Sequence, residues 1–319
     1  MLHLAAPVVV YSEITPFRTA NQSPLVQIYG LPRDTGADII PPGSFLINLN
    51  QDTSSNYTVN FDDNEQITVD GETSRTVFAM RYGLAPNWEI GIEIPYIKQD
   101  GGFLDSFIID WHDTFGLPQG GRTTVSNNRL NYSYSKDGVE KLHLSQAASG
   151  IGDVALTAGF RLYDFSASKR HDRLAIKAAV KLPTGDSSAL LGSGSTDLSL
   201  QLCGSILRGT VGMFGSVGAL AMSRGDVLRD QHNLFAGVGT LGIGWEPASW
   251  VVFKTQLSAN TPFYRNSSLV EVSHNSLILI IGGTLKFPGD FLLDIGVTED
   301  LEVATSPDVS FHLGLSKRF

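Results

Sequence analysis

Hydrophobic and polar residues alternate with period two along most of the chain, the signature of strands with two chemically different faces. In "GDVALTAGFRLYD", Val154, Leu156, Ala158, Phe160 and Leu162 share one face, against Asp153, Thr157, Arg161 and Tyr163. In "RLAIKAAVKLPTGD", Leu174, Ile176, Ala178, Val180 and Leu182 oppose Arg173, Lys177 and Lys181. The same reading sets Leu198, Leu200, Leu202 and Ile206 against Asp197, Ser199, Gln201 and Ser205. It sets Ile90, Ile92, Ile94 and Tyr96 against Glu89 and Glu93, and Leu277, Leu279, Ile281, Leu285 and Phe287 against His274, Ser276, Thr284 and Lys286. Such segments fall near 43–52, 72–84, 88–98, 152–163, 172–184, 195–207, 211–222, 232–245, 250–261, 273–287, 290–299 and 308–319. Each is about the 9–11 residues that a tilted strand needs to cross a bilayer.

Short connections ("LAPNW", "LRGT", "WEPASW", "FPGD", with "SASKRHD" a little longer) alternate with long ones at 53–71, 99–151, 185–194, 223–231, 262–272 and 300–307. That is the pattern of short periplasmic turns and longer outer loops in a transmembrane barrel, and a count of about twelve strands returns both termini to one side. The expected fold is therefore all-β: a transmembrane antiparallel β-barrel of about twelve strands over residues 43–319, with one short helix in a long outer loop. Tyr82, Trp88, Trp245, Trp250 and Phe287 cluster near the turns, as an interfacial girdle would. The chain ends on a strand-like alternation whose last residue, Phe319, is aromatic. This ending resembles the terminal signature by which outer-membrane barrels are recognised by their assembly machinery, and it implies that partner together with outer-membrane lipid.

Composition narrows the class. Charged residues are 17% of the chain, and 23 Lys+Arg against 32 Asp+Glu give a net charge of −9. An acidic balance argues against nucleic acid as a partner, since that footprint is basic. The single cysteine, Cys203, permits no internal disulfide and sits on the polar face of a strand pattern, where a small-residue role is expected. No apolar run reaches the ~18 residues of a membrane helix. The start, "MLHLAAPVVVYSE", lacks a basic n-region and is a poor signal peptide, so a leader is expected upstream if the chain resides in a Gram-negative outer membrane.

Two regions break the alternation. Residues 1–42 are rich in proline and turn formers, yet Leu25, Val26, Ile28, Tyr29 and Leu31 are too apolar for a free tail, which favours a rim or plug segment. Within the 99–151 outer loop, Leu104, Phe107, Ile108, Trp111 and Phe115 fall on one face of a helix near 103–115, with Asp105, Asp110 and Asp113 off that stripe and Gly116 and Pro118 as stop signals. This helix is expected to pack on or into the barrel mouth. "NRLNYSYSKDGVEKLHLS" then reads as a hairpin across Lys136-Asp137-Gly138. The blocks "PFRTANQSPLVQIYGLP", "FLDSFIIDWHDTFGLPQGGR", with its Trp111-His112-Asp113, "GIGDVALTAGFRLYD" and "KLPTGDSSALLGSGSTDLSLQL" resemble a bacterial outer-membrane barrel family known only as a domain of unknown function. They are also similar to outer-membrane barrels encoded near aromatic-degradation pathways. The resemblance runs from about Pro16 to Phe319 and implies an outer-membrane barrel without a catalytic set.

Candidate chemistry is sparse. A His-x-Ser pair occurs twice, His143/Ser145 and His274/Ser276, and i, i+2 on a strand share a face, so each pair has a base beside a nucleophile. Alternation puts the second pair in the lumen and the first in a loop extension, neither toward lipid, which weighs against a phospholipase-like hydrolase. "LLGSGS" and "VGMFGSVGA" lack the Lys-Ser/Thr of a phosphate loop. The acidic stretch with Asp62, Asp63, Glu65, Asp70 and Glu72 does not have calcium-loop spacing and is expected to be a solvated loop. No cofactor or metal is expected. The informative set is the inward one: Arg75, Arg81, Arg161, Arg173, Lys177, Lys181, Lys254, Lys286 and Arg318, with Glu89, Glu93, Asp153, Asp197 and Asp294. These line either a charged passage for a small solute or a salt-bridged, closed interior. The expected function is a channel or transporter for small solutes; the rivals are a barrel hydrolase and a closed structural or surface-interaction barrel.

Overall fold

In the computed structural model, which describes residues 14–33, 36–115, 126–167, 170–302 and 305–319, strands dominate. They are β1 (Phe45–Phe61), β2 (Glu65–Ala85), β3 (Trp88–Asp100), β4 (Asn131–Lys136), β5 (Val139–Leu144), β6 (Ala148–Ile151), β7 (Ala155–Ala167), β8 (Arg170–Lys181), β9 (Asp197–Arg208), β10 (Val211–Met222), β11 (Phe235–Ala248), β12 (Val251–Asn260), β13 (Ser276–Phe287), β14 (Phe291–Asp300) and β15 (Val309–Arg318). Helix α1 spans Leu104–Phe115 and α2 spans Val270–Ser273; no described helix is long and apolar enough to cross a membrane. Twelve strands, β1–β3 and β7–β15, close into an antiparallel barrel. The seam is β1 against β15, from Leu46 opposite Arg318 to Ser55 opposite Val309. Closure leaves no unpaired edge, the condition for exposing a sheet to hydrocarbon.

Alternation decides the faces. Along β9, Leu198, Leu200, Leu202 and Ile206 are exposed on the outer surface while Asp197, Ser199, Gln201 and Cys203 are buried within. Ile90, Leu156, Val180, Met213, Val217, Leu241, Phe253, Ile281 and Leu313 continue the outward apolar band, where a Lys or Arg at mid-depth costs about 2–4 kcal/mol. Trp88, Trp245, Trp250, Phe287 and Phe319 are exposed at the end that carries the short turns. Phe319 also closes the ladder there, exchanging both backbone hydrogen bonds with Phe45 at 3.0 and 2.9 Å.

Several details differ from the pattern-based expectation, each for a local reason. Residues 53–71 are not a loop: β1 and β2 run on beyond the barrel, pairing to Phe61 opposite Gln66, and β4 adds to β2 from Glu65–Lys136 to Asp70–Asn131. In this arm the polar Ser54, Ser55, Asn56, Thr68 and Asp70 are buried while Val59 and Phe61 are exposed, so side-chain type does not report which face is covered. The acidic stretch is accordingly a turn plus strand, with Glu65, Asp70 and Glu72 buried rather than solvated. At Leu162 the β7–β8 register shifts between Arg161 and Tyr163, and this bulge turns Tyr163 outward, against its simple parity. The inward face is not uniformly polar either. Ile278 and Ile280 point inward and pack on Phe17. The β4–β5 hairpin turns at Asp137 and Gly138, whose φ values of 52° and 73° are the left-handed pair of a type I′ turn. The stop signals Gly116 and Pro118 lie outside the described residues.

Candidate functional site

The lumen is occupied by the chain's own N-terminal segment. Ile14 packs with Leu207, Phe214 and Val252 near the short-turn end, residues 25–31 reach the loop end, and the chain returns so that Pro42 bridges to Gly83 beside the start of β1. Prolines at 16, 24, 32, 41 and 42 remove backbone donors from this segment and keep it from forming a helix or strand beyond one turn at Ser23–Tyr29. The polar groups that remain must find partners if buried, and the wall supplies them. Phe17 N–H donates to Gln256 Oε1 at 2.8 Å, Gly30 N–H to Asp197 Oδ2 at 2.7 Å, and Ile40 N–H to Glu89 Oε2 at 2.8 Å. Segment carbonyls accept from wall side chains: Thr15 from Lys254 (3.1 Å), Leu25 from the Tyr264 hydroxyl (2.9 Å), Gln27 from Arg75 (2.6 Å), Ile28 from Lys181 (3.3 Å), Asp38 from Lys177 (2.7 Å) and Ile39 from Arg161 (3.2 Å). Gly83 is required where the segment leaves: a Cβ there would lie 2.0 Å from the Pro41 carbonyl oxygen.

Ion pairs tie the same segment to the wall. Arg18 meets Glu93 at 2.6 Å, and Arg33 meets Asp52 at 2.7 Å, whose other oxygen takes His312 Nδ1 at 2.7 Å. Arg81 bridges Asp38 (3.2 Å) and Glu89 (2.8 Å), with Lys177 on the same Glu89. Lys181 holds Asp153 (2.6 Å) and Asp197 (3.1 Å) together with Ser193. Lys254 pairs with Asp294 at 2.7 Å. Nearer the short turns, Lys286 pairs with Glu246 at 2.8 Å, Arg161 and Arg173 share Asp164 at 3.5 and 3.7 Å, and Arg318 sits at the last rung of β15 opposite Leu46. Thus the residues chosen by alternation lie in the lumen or on its rim. The plug residues that engage them (Arg18, Arg33 and Asp38), with Asp52 and His312, were not picked out by sequence pattern. Asp52 and His312 each occupied an inward position, a signal that was present.

The loop end is closed differently. Leu25, Val26, Ile28 and Tyr29 pack with Ile67, Tyr132, Tyr134, Leu144, Leu220, Met222, Phe263, Tyr264, Leu269 and Val272 in one apolar cluster. His232 stacks on Tyr29, centroids 4.8 Å apart and 10° between planes, and neither of its ring nitrogens has a hydrogen-bond partner. Helix α1 is anchored at its start. Glu72 accepts the Phe103 N–H at 2.7 Å and the Leu104 N–H, while Asp105 accepts the Asn128 N–H at 2.8 Å; buried Leu104 lies outside the apolar cluster and Asp113 is exposed. The side chains of Phe107, Trp111 and His112 lie outside the described residues.

Between the plug and the wall lie cavities of about 40 Å³ (Gln27–Arg33 against Arg75, Glu93, Pro95, Asp153, Ala179 and Lys181) and about 50 Å³ (Pro32 and Arg33 against Arg81, Glu89, Thr157, Lys177 and Gln201). Each has room for a few waters.

Of the His-x-Ser pairs, His274 is exposed beyond the end of α2 and contacts Ser273 rather than Ser276, whose hydroxyl turns to Asn21 and Ser306; its expected lumenal place beside Ser276 is not what the strand start at Ser276 allows. His143 Nε2 does lie 3.0 Å from Ser145 Oγ, and its Nδ1 lies 3.2 Å from Glu140. All three are exposed on the outer hairpin, without the enclosed, water-excluding pocket that makes such a relay catalytic. Cys203 is buried among Ala37, Ile39 and Ala175.

With this geometry in hand, comparison with solved structures is informative about the fold. The COG4313 outer-membrane channel from Pseudomonas putida F1 superposes with a TM-score of 0.58 at 14% identity, over 89% of this chain and 98% of that one. The NanC porin (TM-score 0.46, 8% identity, 85% and 98% covered) and the Ralstonia pickettii toluene transporter TbuX (0.39, 12%, 88% and 90%) are more distant. Sequence comparison with curated proteins finds no match. The fold is that of an outer-membrane β-barrel, and since the DUF3187 family, described as a protein of unknown function, matches residues 1–319, the chain belongs to that family.

Proposed function

We propose that the protein is an outer-membrane channel for small solutes whose N-terminal segment, described over residues 14–33 and 36–42, forms a plug that must shift for passage. The observation that carries this reading is the lumen's content. The wall of residues 43–319 is lined with charged and polar side chains, and the volume it encloses is filled by a segment with almost no secondary structure of its own. A barrel built only as a scaffold fills its interior with side chains from the strands. Here a removable piece of chain does so. That the neighbours in fold are named as channels and transporters supports the same reading. The short turns would face the periplasm, with Phe319 beside them for the assembly machinery, and the apolar cap would face outward.

Planar-bilayer recording tests this directly. The full chain is expected to conduct rarely, and the chain lacking residues 1–42 to show discrete, sustained openings. Absence of conductance in both would leave the closed structural barrel, which the dense ion pairing of the lumen favours. The hydrolase reading has one observation behind it, the Glu140–His143–Ser145 contacts. Esterase or phospholipase activity that Ser145→Ala abolishes would establish it, and we expect none because the three groups stand in bulk solvent.

A further inference from the structure

Buried charges are ordinarily neutralised by a partner, and in this lumen nearly all are. Around the 40 Å³ cavity, the charged lining residues are Arg33, Arg75, Lys181, Glu93 and Asp153. Arg33 is taken by Asp52, Lys181 by Asp153 and Asp197, and Glu93 by Arg18. That leaves Arg75. Its Nη1 donates to the Gln27 carbonyl at 2.6 Å, its Nε is buried with no partner, and among the described residues no carboxylate is paired with it. Arg18, buried nearby in the same network, also has Nε and Nη1 without acceptors. A guanidinium stays charged at any physiological pH, and at Arg75 and Arg18 this part of the lumen presents more N–H donors than the chain's own acceptors satisfy.

We infer that the cavity between plug residues 27–33 and the β2–β3–β7–β8 wall is a binding site for a small carboxylate, with Arg75 as its counter-ion. The chemistry fits. A carboxylate is planar and offers two acceptor oxygens to the fork of a guanidinium. A site already provided with Glu93 and Asp153, both engaged by their own cations, has no use for a further cation. Pro95, Ala155 and Ala179 line the rest and leave space for a short apolar remainder without offering it hydrogen bonds. Because Arg75 also holds the Gln27 carbonyl, a carboxylate captured there competes with one of the bonds that keep the plug in place, which couples occupancy to plug release. This deepens the channel reading by naming a solute class, but binding to the closed barrel is measurable whether or not the barrel conducts.

The test is titration calorimetry of sodium acetate into the detergent-solubilised full chain, against sodium chloride at equal ionic strength. Saturable acetate binding is expected, weakened about tenfold or more by Arg75→Gln and less by Arg75→Lys, which keeps the charge but loses the two-pronged fork. Arg208→Gln, at the short-turn end and outside the lumen, should change nothing. Heat-modifiable migration on gels checks that each variant is a folded barrel. Three results would overturn the assignment: no saturable acetate binding in the wild type, equal affinity in folded Arg75→Gln, or chloride displacing acetate at equal concentration. A failed conductance experiment beside a positive titration would sink the channel and leave the site; the reverse pair of results would do the opposite.

Discussion

The two ends of the plug are held by different physics. At the loop end its tip, Leu25 to Tyr29, is embedded in an apolar cluster drawn from the β4–β5 hairpin, three barrel strands and the loops around Phe263 and Leu269. Deeper in the barrel the returning stretch is held by directional contacts: Arg33 on Asp52, Gly30 N–H on Asp197, Asp38 on Arg81. Apolar burial is roughly proportional to area and tolerates sliding. A network of buried ion pairs tolerates little, because each charge separated from its partner bears its desolvation cost alone. The cap therefore sets how firmly the mouth is sealed, and the clamp sets where the segment sits.

The largest effect should come from breaking the clamp at its most connected cation. Lys181→Met leaves Asp153 and Asp197 buried without a counter-charge, and removing one partner of a buried pair costs about 3–5 kcal/mol. Denaturant unfolding in detergent should show the loss, and bilayer recordings should show frequent openings. A stability within experimental error of wild type would mean that the acids simply take up protons or water and that the clamp fixes nothing.

Next is the cap. Leu25→Ala removes a side chain that is 2% exposed, and such truncations cost about 2–5 kcal/mol depending on how far the site collapses. Its signature separates it from the clamp variant: more frequent brief openings, with the plug's deeper hydrogen bonds still protected from amide exchange. If Gly30 and Ile40 amides lose protection as well, the two ends are one cooperative unit and the contrast drawn above is wrong.

A smaller effect, and one that titrates, belongs to His232. Burial holds its pKa below the usual 6.5, with Lys181, Arg224 and Arg265 acting in the same direction and Asp197 against them. A depressed histidine contributes nothing while neutral in both states, so the cap is at full strength above the unfolded value. As pH falls below about 6.5 the open form takes up the proton first and the seal weakens. Opening frequency should rise between neutral pH and about pH 5, and His232→Phe, which keeps the stack on Tyr29, should flatten that rise.

How much of this was legible in the sequence follows from where each region's information lies. Strand β9 could be read residue by residue because one face meets hydrocarbon and the other a polar lumen, so its alternation is written in side-chain type. The arm formed by Thr53–Phe61 and Glu65–Thr73 is just as regular in the structure. It was invisible because beyond the lipid-facing band burial no longer follows side-chain type: polar Ser54, Asn56, Thr68 and Asp70 are buried there while Val59 and Phe61 are exposed. The lumen-facing ions were visible singly, but their pairing was not. Phe17 finds Gln256 at a separation of 239 residues and Asp52 finds His312 at 260, and a proline-rich segment has no period from which such partners can be inferred. Ile278 and Ile280 broke the polar-inside rule because the lumen holds a phenylalanine, not water.

The smallest predicted effect sharpens the comparison from outside the plug, at the anchor of α1. Glu72 lies on the β2 extension beyond the lipid-facing band. It accepts backbone N–H bonds from Phe103 and Leu104, which favour its charge, yet burial and the neighbouring Asp105 and Asp100 outweigh them and raise its carboxyl to about 7. An acid whose folded value is raised gives its full stabilisation below the unfolded value near 4.5 and loses it as pH climbs through 7. The start of α1 should therefore loosen on going from pH 5 to pH 8, the direction opposite to the His232 cap. Exchange protection of the Phe103 and Leu104 amides, corrected for intrinsic rates, should fall across that interval in the wild type and stay level in Glu72→Gln. If protection instead rises with pH, the two N–H bonds dominate over burial, and the helix is held by charge as the clamp is.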